Sequence, residues 1–187
     1  MIKRLSLDQE NDIKSTAKIL SDVFPWSYGE EYRAIDEVKR LCEDDGIAYV
    51  YVVDETVKGI VGAKPQYGST GWELHPLAVD KDYRHQGIAK TLMSKIEAAV
   101  VDKGGIVLYL GSDDEHFRTS LSSIDLFEDP LEAIKNIRNY SDHPFTFYEK
   151  IGYKIVGVLP DANGWNKPDI YMAKRLVKRP LNGDGKP

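Results

Sequence analysis

A chain of 187 residues with 42% hydrophobic and 29% charged residues has the composition of a globular protein and is long enough for one domain with a substantial core. Its net charge of −5 and isoelectric point of 5.4 argue against a nucleic-acid binder working through a basic face, and such a field would favour a polycationic small substrate. Cys42 is the only cysteine, which excludes an intramolecular disulfide and points to a reducing compartment. Met1-Ile-Lys-Arg-Leu-Ser6 lacks the apolar run of a signal peptide, and no run approaches membrane-spanning length, so a cytoplasmic protein is expected.

Residues 2–7 alternate well enough for a first strand, after which Asn11 or Asp12 is placed to cap a helix carrying Ile13, Ala17, Ile19, Leu20 and Val23. That helix stops near Pro25. Trp26 and Tyr28 fall in a turn before a charged helix from about Glu30 to Glu43, in which Cys42 reads as a small core residue. Three antiparallel strands follow: Ile47 to Val53, a turn over Asp54–Lys58, Gly59 to Tyr67, a turn over Gly68–Gly71, and then the stretch from Trp72 to Val79. A long amphipathic helix from about Gln86 to Asp102 carries Ile88, Leu92, Met93, Ile96 and Val100 on one stripe and ends at Gly104-Gly105. Ile106 to Leu110 is a continuous apolar strand of the kind covered on both faces. The next stretch, through Asp142, is long and partly irregular, with a short helix near Leu131 to Arg138. Ser141 or Asp142 is placed to cap another short helix, with Pro144 in its first turn, that Gly152 closes, and strands over 153–159 and 170–174 complete the pattern. No linker divides the chain, so residues 1–177 read as one mixed α/β domain and 178–187 as a polar tail expected to fray.

The chemistry concentrates in Trp72-Glu-Leu-His-Pro-Leu-Ala-Val79 and the loop Asp80-Lys-Asp-Tyr-Arg84-His-Gln-Gly87-Ile-Ala89 behind it. Pro76 has no N–H to donate to a ladder, so it belongs at a bulge, an edge or a break in pairing. Backbone groups left unpaired there suit an extended ligand carrying amides, such as the pantetheine arm of coenzyme A. The following helix N-terminus favours phosphate; Arg84 adds charge, Gly87 lets the backbone approach closely, and Ala89 keeps the first turn slim. The four histidines, His75, His85, His116 and His143, show no metal-ligand spacing, so no metal is expected.

The spacing Arg84-x-x-Gly87-x-Ala89 resembles the pyrophosphate-binding signature of the GNAT superfamily of acetyl-CoA-dependent N-acetyltransferases, with alanine at 89 where many relatives carry glycine. Tyr67-Gly68, Trp72 to Leu77, Tyr109-Leu-Gly-Ser-Asp-Asp114, His143-Pro144, Phe147 to Tyr153 and Ile155 to Asp169 together resemble the aminoglycoside 6′-N-acetyltransferases over nearly the whole chain. The resemblance implies a GNAT fold with a bulged central strand, acetyl-CoA as co-substrate, an aminoglycoside acceptor and a homodimer. It also implies Glu73 as general base, the Leu77 N–H with His75 as oxyanion donors, and Tyr148 as the acid for the coenzyme A thiolate. Residues Leu77, Ala78, Val79, Arg84, His85, Gln86, Gly87, Ile88, Ala89 and Lys90 would hold the cofactor. Trp26, Tyr67, Glu73, Asp113 and Asp114 would meet the acceptor. Trp26 serves equally well as a packing anchor at a helix junction, and His75 as a structural histidine. A polyamine or protein-amine acetyltransferase, or a silent acyl-CoA-binding module, fits the same residues.

Overall fold

Alternating apolar residues and glycine-marked turns build the first part of the chain into an antiparallel meander in the computed structural model, which describes residues 1–43 and 45–180. The chain divides into two compact units, Met1–Leu108 and the residues from Tyr109 onward. In the first unit, β1 (Ile2–Arg4) is followed by helices α1 (Glu10–Val23), α2 (Pro25–Tyr28) and α3 (Glu31–Cys42). Then come β2 (Ile47–Val53), β3 (Thr56–Tyr67) and β4 (Gly71–Val79), each antiparallel to its predecessor, with β1 paired to β2.

Local chemistry accounts for most boundaries and for where they differ from expectation. Neither Asn11 nor Asp12 caps α1; Gln9 holds that position without a side-chain bond, and Asp12, inside the first turn, pairs with Lys3 at 2.6 Å. The ion pair ties β1 to α1, and an acid in a first helical turn also suits the helix dipole. Trp26 and Tyr28 lie in a single helical turn rather than an open one, with Pro25 at its start. The turn expected over Asp54–Lys58 contracts to Asp54 and Glu55, whose φ values of 45° and 62° are the left-handed pair of a two-residue hairpin.

Both faces of the meander are covered. A Cβ at Gly59 would lie 3.1 Å from Leu92 of α4 (Ile88–Asp102), whereas one at Gly62 would lie 2.8 Å from Leu41 of α3, so the two helices pack on opposite sides. Leu20, Val38, Leu41, Val50 and Ile60 are sealed in the core on the α1–α3 side, and Cys42 packs half-buried at its margin. Across β3 and β4, Ala63 pairs with Leu74 and Val61 with Leu77, leaving His75 and Pro76 to oppose Gly62 alone. That two-against-one count is a β-bulge at the proline.

In the second unit, β5 (Val107–Asp113) runs out of the first and continues past the expected end at Leu110. Helices α5 (Pro130–Lys135) and α6 (Phe145–Lys150) precede β6 (Lys154–Leu159) and β7 (Asp169–Arg175). β6 and β7 are antiparallel, and β7 lies between β5 and β6. Tyr153, Ile170, Met172 and Leu110 are buried here. The seven strands and six helices among the described residues give the mixed α/β fold expected. Of the polar tail, residues 181–187 lie outside the described residues.

The bulge leaves no space for a side chain at Gly62, since a Cβ there would stand 2.7 Å from the His75 carbonyl oxygen. Gly62→Ala should therefore cost about 2 kcal/mol through overpacking against backbone, read as a lower urea midpoint at unchanged slope. A midpoint equal to that of the wild type would show that the strand pair yields at this point.

Candidate active site

The bulge sets what β4 presents. Glu73, paired with Lys64, and His75 lie on the Gly62 face that α3 covers incompletely, whereas the bulge interrupts alternation and puts Leu77, paired with Val61, on the opposite face with Leu74. Glu37, Leu41, Lys64, Glu73 and His75 line a cavity of about 280 Å³ there. Glu73 is half-buried, pairs across the sheet with Lys64, and accepts a 3.0 Å hydrogen bond from the Gln66 amide on its Oε2. That single bond holds the carboxylate in place while leaving its other oxygen open to a ligand donor.

His75 is more exposed, and its Nε2 lies 2.8 Å from the Tyr28 hydroxyl and 4.0 Å from Glu37 Oε1. Burial, and then the negative charge of Glu37, push the Tyr28 phenol up to about 12, so it stays protonated at physiological pH. Trp26 and Tyr67 stand out in solvent at 81% and 72% exposure, so Trp26 is not a packing anchor.

Behind β4, Asp80 accepts from the Asp82 N–H and pairs with Lys58 at 3.2 Å; slight burial opposes its ionisation, but these two partners hold its carboxyl below the usual 3.8. Lys58 also lies 4.6 Å from the Tyr83 ring centre, and the Arg84 Nε–H donates to the Val79 carbonyl at 3.3 Å, so the loop is tied at several points. His85 at φ 60° and Gly87 at φ 80° turn the chain into α4, which starts at Ile88 and not at Gln86 because a left-handed residue stands at its entrance. No side chain caps α4. Its first N–H groups are left to solvent or to an anion, beside the exposed Arg84, His85, Gln86, Gly87 and Lys90; Ile88 is buried and Ala89 half-buried.

In the second unit the acidic run separates into different environments. Asp113 is exposed, and its Oδ1 accepts from the Asn163 amide. Asp114 differs from expectation: it is fully buried, and its carboxylate accepts from the Arg118 and Thr119 N–H groups at 2.7 and 2.8 Å and from the Ser122 hydroxyl. Burial alone would raise its pKa, but these donors hold it below 3.8, so the charge is spent on folding the irregular loop and not presented outward. His143 is buried as well: its Nδ1 accepts from the Phe145 N–H, and its Nε2 therefore donates to the Asp113 carbonyl at 3.1 Å. Tyr148 is almost completely buried, which pushes its phenol far up and keeps it neutral. No group of three or more metal-ligating side chains occurs among the described residues, and no helix among them is long and apolar enough to cross a membrane.

The model of the Acetyltransferase (GNAT) family matches residues 13–131, nearly two-thirds of the chain. The chain belongs to the GNAT family. A crystal structure of an aminoglycoside 6′-N-acetyltransferase complexed with coenzyme A matches this GNAT protein at 42% identity and a TM-score of 0.92, covering 96% of this chain and 99% of that one. The aminoglycoside 6′-N-acetyltransferase from Enterococcus faecium matches at 41% identity and a TM-score of 0.90 over the same shares of the two chains. An aminoglycoside 6′-acetyltransferase type Ii matches at 36% identity and a TM-score of 0.76, again over 96% and 99%. Comparison with curated proteins finds no match.

Sequence reasoning missed Tyr28 as a partner of His75 and overlooked Glu37, Lys64 and Gln66. Glu37 lies one helical turn before Leu41, so the period of α3 contained a signal, but nothing local separates it from Glu31 or Asp36. Lys64 and Gln66 were readable only through the hairpin register that sets them near Glu73.

His143 supplies a pH test of the second unit. Burial holds its pKa below the ordinary 6.5, so the unfolded chain binds a proton more readily. Stability is therefore fully present above about pH 6.5 and is lost as pH falls through the folded value. His143→Gln should lower the urea midpoint at pH 7.5 yet flatten its decline between pH 6.5 and 5. A wild-type midpoint unchanged down to pH 5 would contradict the assignment.

Proposed function

We propose that the protein transfers the acetyl group of acetyl-CoA to the 6′-amine of aminoglycosides by direct attack in a ternary complex. The observation that carries this is the cavity beside the bulge, in which Glu73 and Glu37 bring two carboxylates to one small space on the acceptor side of β4. The likeness to three aminoglycoside 6′-N-acetyltransferases over 96% of the chain supports the choice of acceptor. Aminoglycoside resistance and a homodimer in the reducing cytoplasm belong to the same reading, as does a domain over residues 1–177.

Acetyl-CoA supplies an activated thioester carbonyl. The uncapped start of α4, two left-handed residues and the exposed Arg84 fit its phosphates, with Leu77, Ala78 and Val79 along the strand and His85, Gln86, Gly87, Ile88, Ala89 and Lys90 around the loop. The acceptor amine arrives as an ammonium, with a pKa of about 10.4 by analogy with lysine, and is unreactive until it loses a proton. Glu73 binds that ammonium and accepts its proton directly or through water, freeing the nitrogen lone pair to attack the carbonyl carbon. The Leu77 N–H, with His75, meets the negative charge that develops on the carbonyl oxygen. As the carbon–sulfur bond breaks, Tyr148, a phenol that retains its proton at physiological pH, returns a proton to the sulfur. Trp26 and Tyr67 offer aromatic faces to the sugar rings and Asp113 an exposed carboxylate for a second ammonium, while Asp114 holds the loop behind it.

Glu73→Gln should lower kcat about a hundredfold while leaving the KM for acetyl-CoA within about twofold. Steady-state assays with kanamycin-type amines, spermidine and lysine peptides define the acceptor. Preference for peptide or spermidine would overturn the aminoglycoside assignment, and acetyl-CoA binding without coenzyme A release for any amine would overturn catalysis itself.

A further inference from the structure

Tyr28 and His75 come from elements 47 residues apart in sequence, yet the Tyr28 hydroxyl stands 2.8 Å from His75 Nε2. A hydroxyl carries one proton and needs an acceptor for it when removed from water. Among the hydrogen bonds of the described residues, the partner of this hydroxyl is His75 Nε2. Were Nε2 protonated, it would donate to the tyrosine oxygen and the phenolic proton would be left to solvent, since no other protein acceptor for it is among the hydrogen bonds of the described residues. The arrangement in which both groups are matched within the protein has the neutral phenol donating, Nε2 accepting, and the ring proton on Nδ1.

We propose that Tyr28 is a positioning residue that holds His75 as the Nδ1–H tautomer, making the imidazole a hydrogen-bond donor at the acceptor site and denying its Nε2 to the incoming ammonium as a base. The base role then falls to Glu73, two residues away on the same face of β4. The same bond fastens α2, and with it the exposed Trp26, to the bulge. Glu37, Lys64 and Glu73 are the charged groups that share the cavity with the ring; burial first and the charge of Glu37 second keep the phenol protonated, and the Glu37 carboxylate lies 4.0 Å from Nε2.

The tautomer itself is independent of the acceptor's identity; only its catalytic consequence rests on the function proposed above. Tyr28→Phe keeps the ring that packs edge-on against Phe24 and removes the hydroxyl alone. Tyr32→Phe, on an exposed face of α3, serves as the control. In ¹⁵N-labelled protein, the imidazole shifts of His75 should report mainly Nδ1–H in the wild type and in the control. In Tyr28→Phe the ratio should move toward Nε2–H by about fivefold, the effect of losing one neutral hydrogen bond. Acceptor kcat/KM should fall about tenfold in that variant while the KM for acetyl-CoA holds. An unchanged tautomer in Tyr28→Phe, or a wild type already in the Nε2–H form, overturns the proposal; so does a shifted tautomer with unchanged acceptor kinetics. A wild-type protein inactive on every amine would overturn the proposed function, and the ring shifts would still decide the tautomer.

Discussion

Two residues set against one at the middle of β4 constrain the first unit more than any other contact. His75 and Pro76 share the single partner Gly62, and the register on either side is kept by Ala63 with Leu74 and by Val61 with Leu77. The proline supplies no N–H, so the ladder loses a bond wherever it sits, and a bulge accommodates that loss without unravelling the strand. Gly62 makes the arrangement possible because any side chain there would press on the His75 carbonyl and on Leu41. One steric vacancy thus seats α3 against the sheet and sets the exposure of Glu73 and His75.

From that seating follows the electrostatic character of the cavity. α3 brings Glu37 to the margin of the same space that Glu73 enters from β4, and Lys64 keeps it from being uniformly negative. Glu73 is held by one amide and remains able to bind, whereas Asp114 is saturated by three donors and organises its own loop. Two carboxylates of the same intrinsic chemistry therefore take opposite roles because their donors differ in number and their exposure differs. A ligand ammonium competes with water at Glu73; at Asp114 it would have to displace buried hydrogen bonds, each costly to leave unmade.

The loop behind β4 shows a comparable division of labour. Asp80, Lys58 and Tyr83 brace it from within, so that Arg84 and the uncapped end of α4 face outward. Left-handed backbone at His85 and Gly87 places the turn, and at Gly87 a glycine adopts it at little steric cost. Binding groups supplied by backbone and held by side-chain braces depend little on which side chains the loop displays.

Local sequence by itself determined the order of strands and helices, the break at Pro76, the two-glycine end of α4 and the loop signature at Arg84 and Gly87, because alternation, helical period and proline or glycine chemistry act over a few residues. Glu73 and His75, which stand two apart on one strand face, were singled out by the family resemblance and not by local pattern. Element ends such as the first residue of α1 were less legible, since Gln9 stands at the cap position without a side-chain bond and the contact of Asp12 with Lys3 is tertiary. Only the folded arrangement decided that Asp114 turns inward, that Trp26 and Tyr67 are exposed, and that Tyr28 and Glu37 meet His75. Those outcomes depend on which distant donors reach a side chain and how much water they exclude, quantities set by packing between segments and carried by no short stretch of chain.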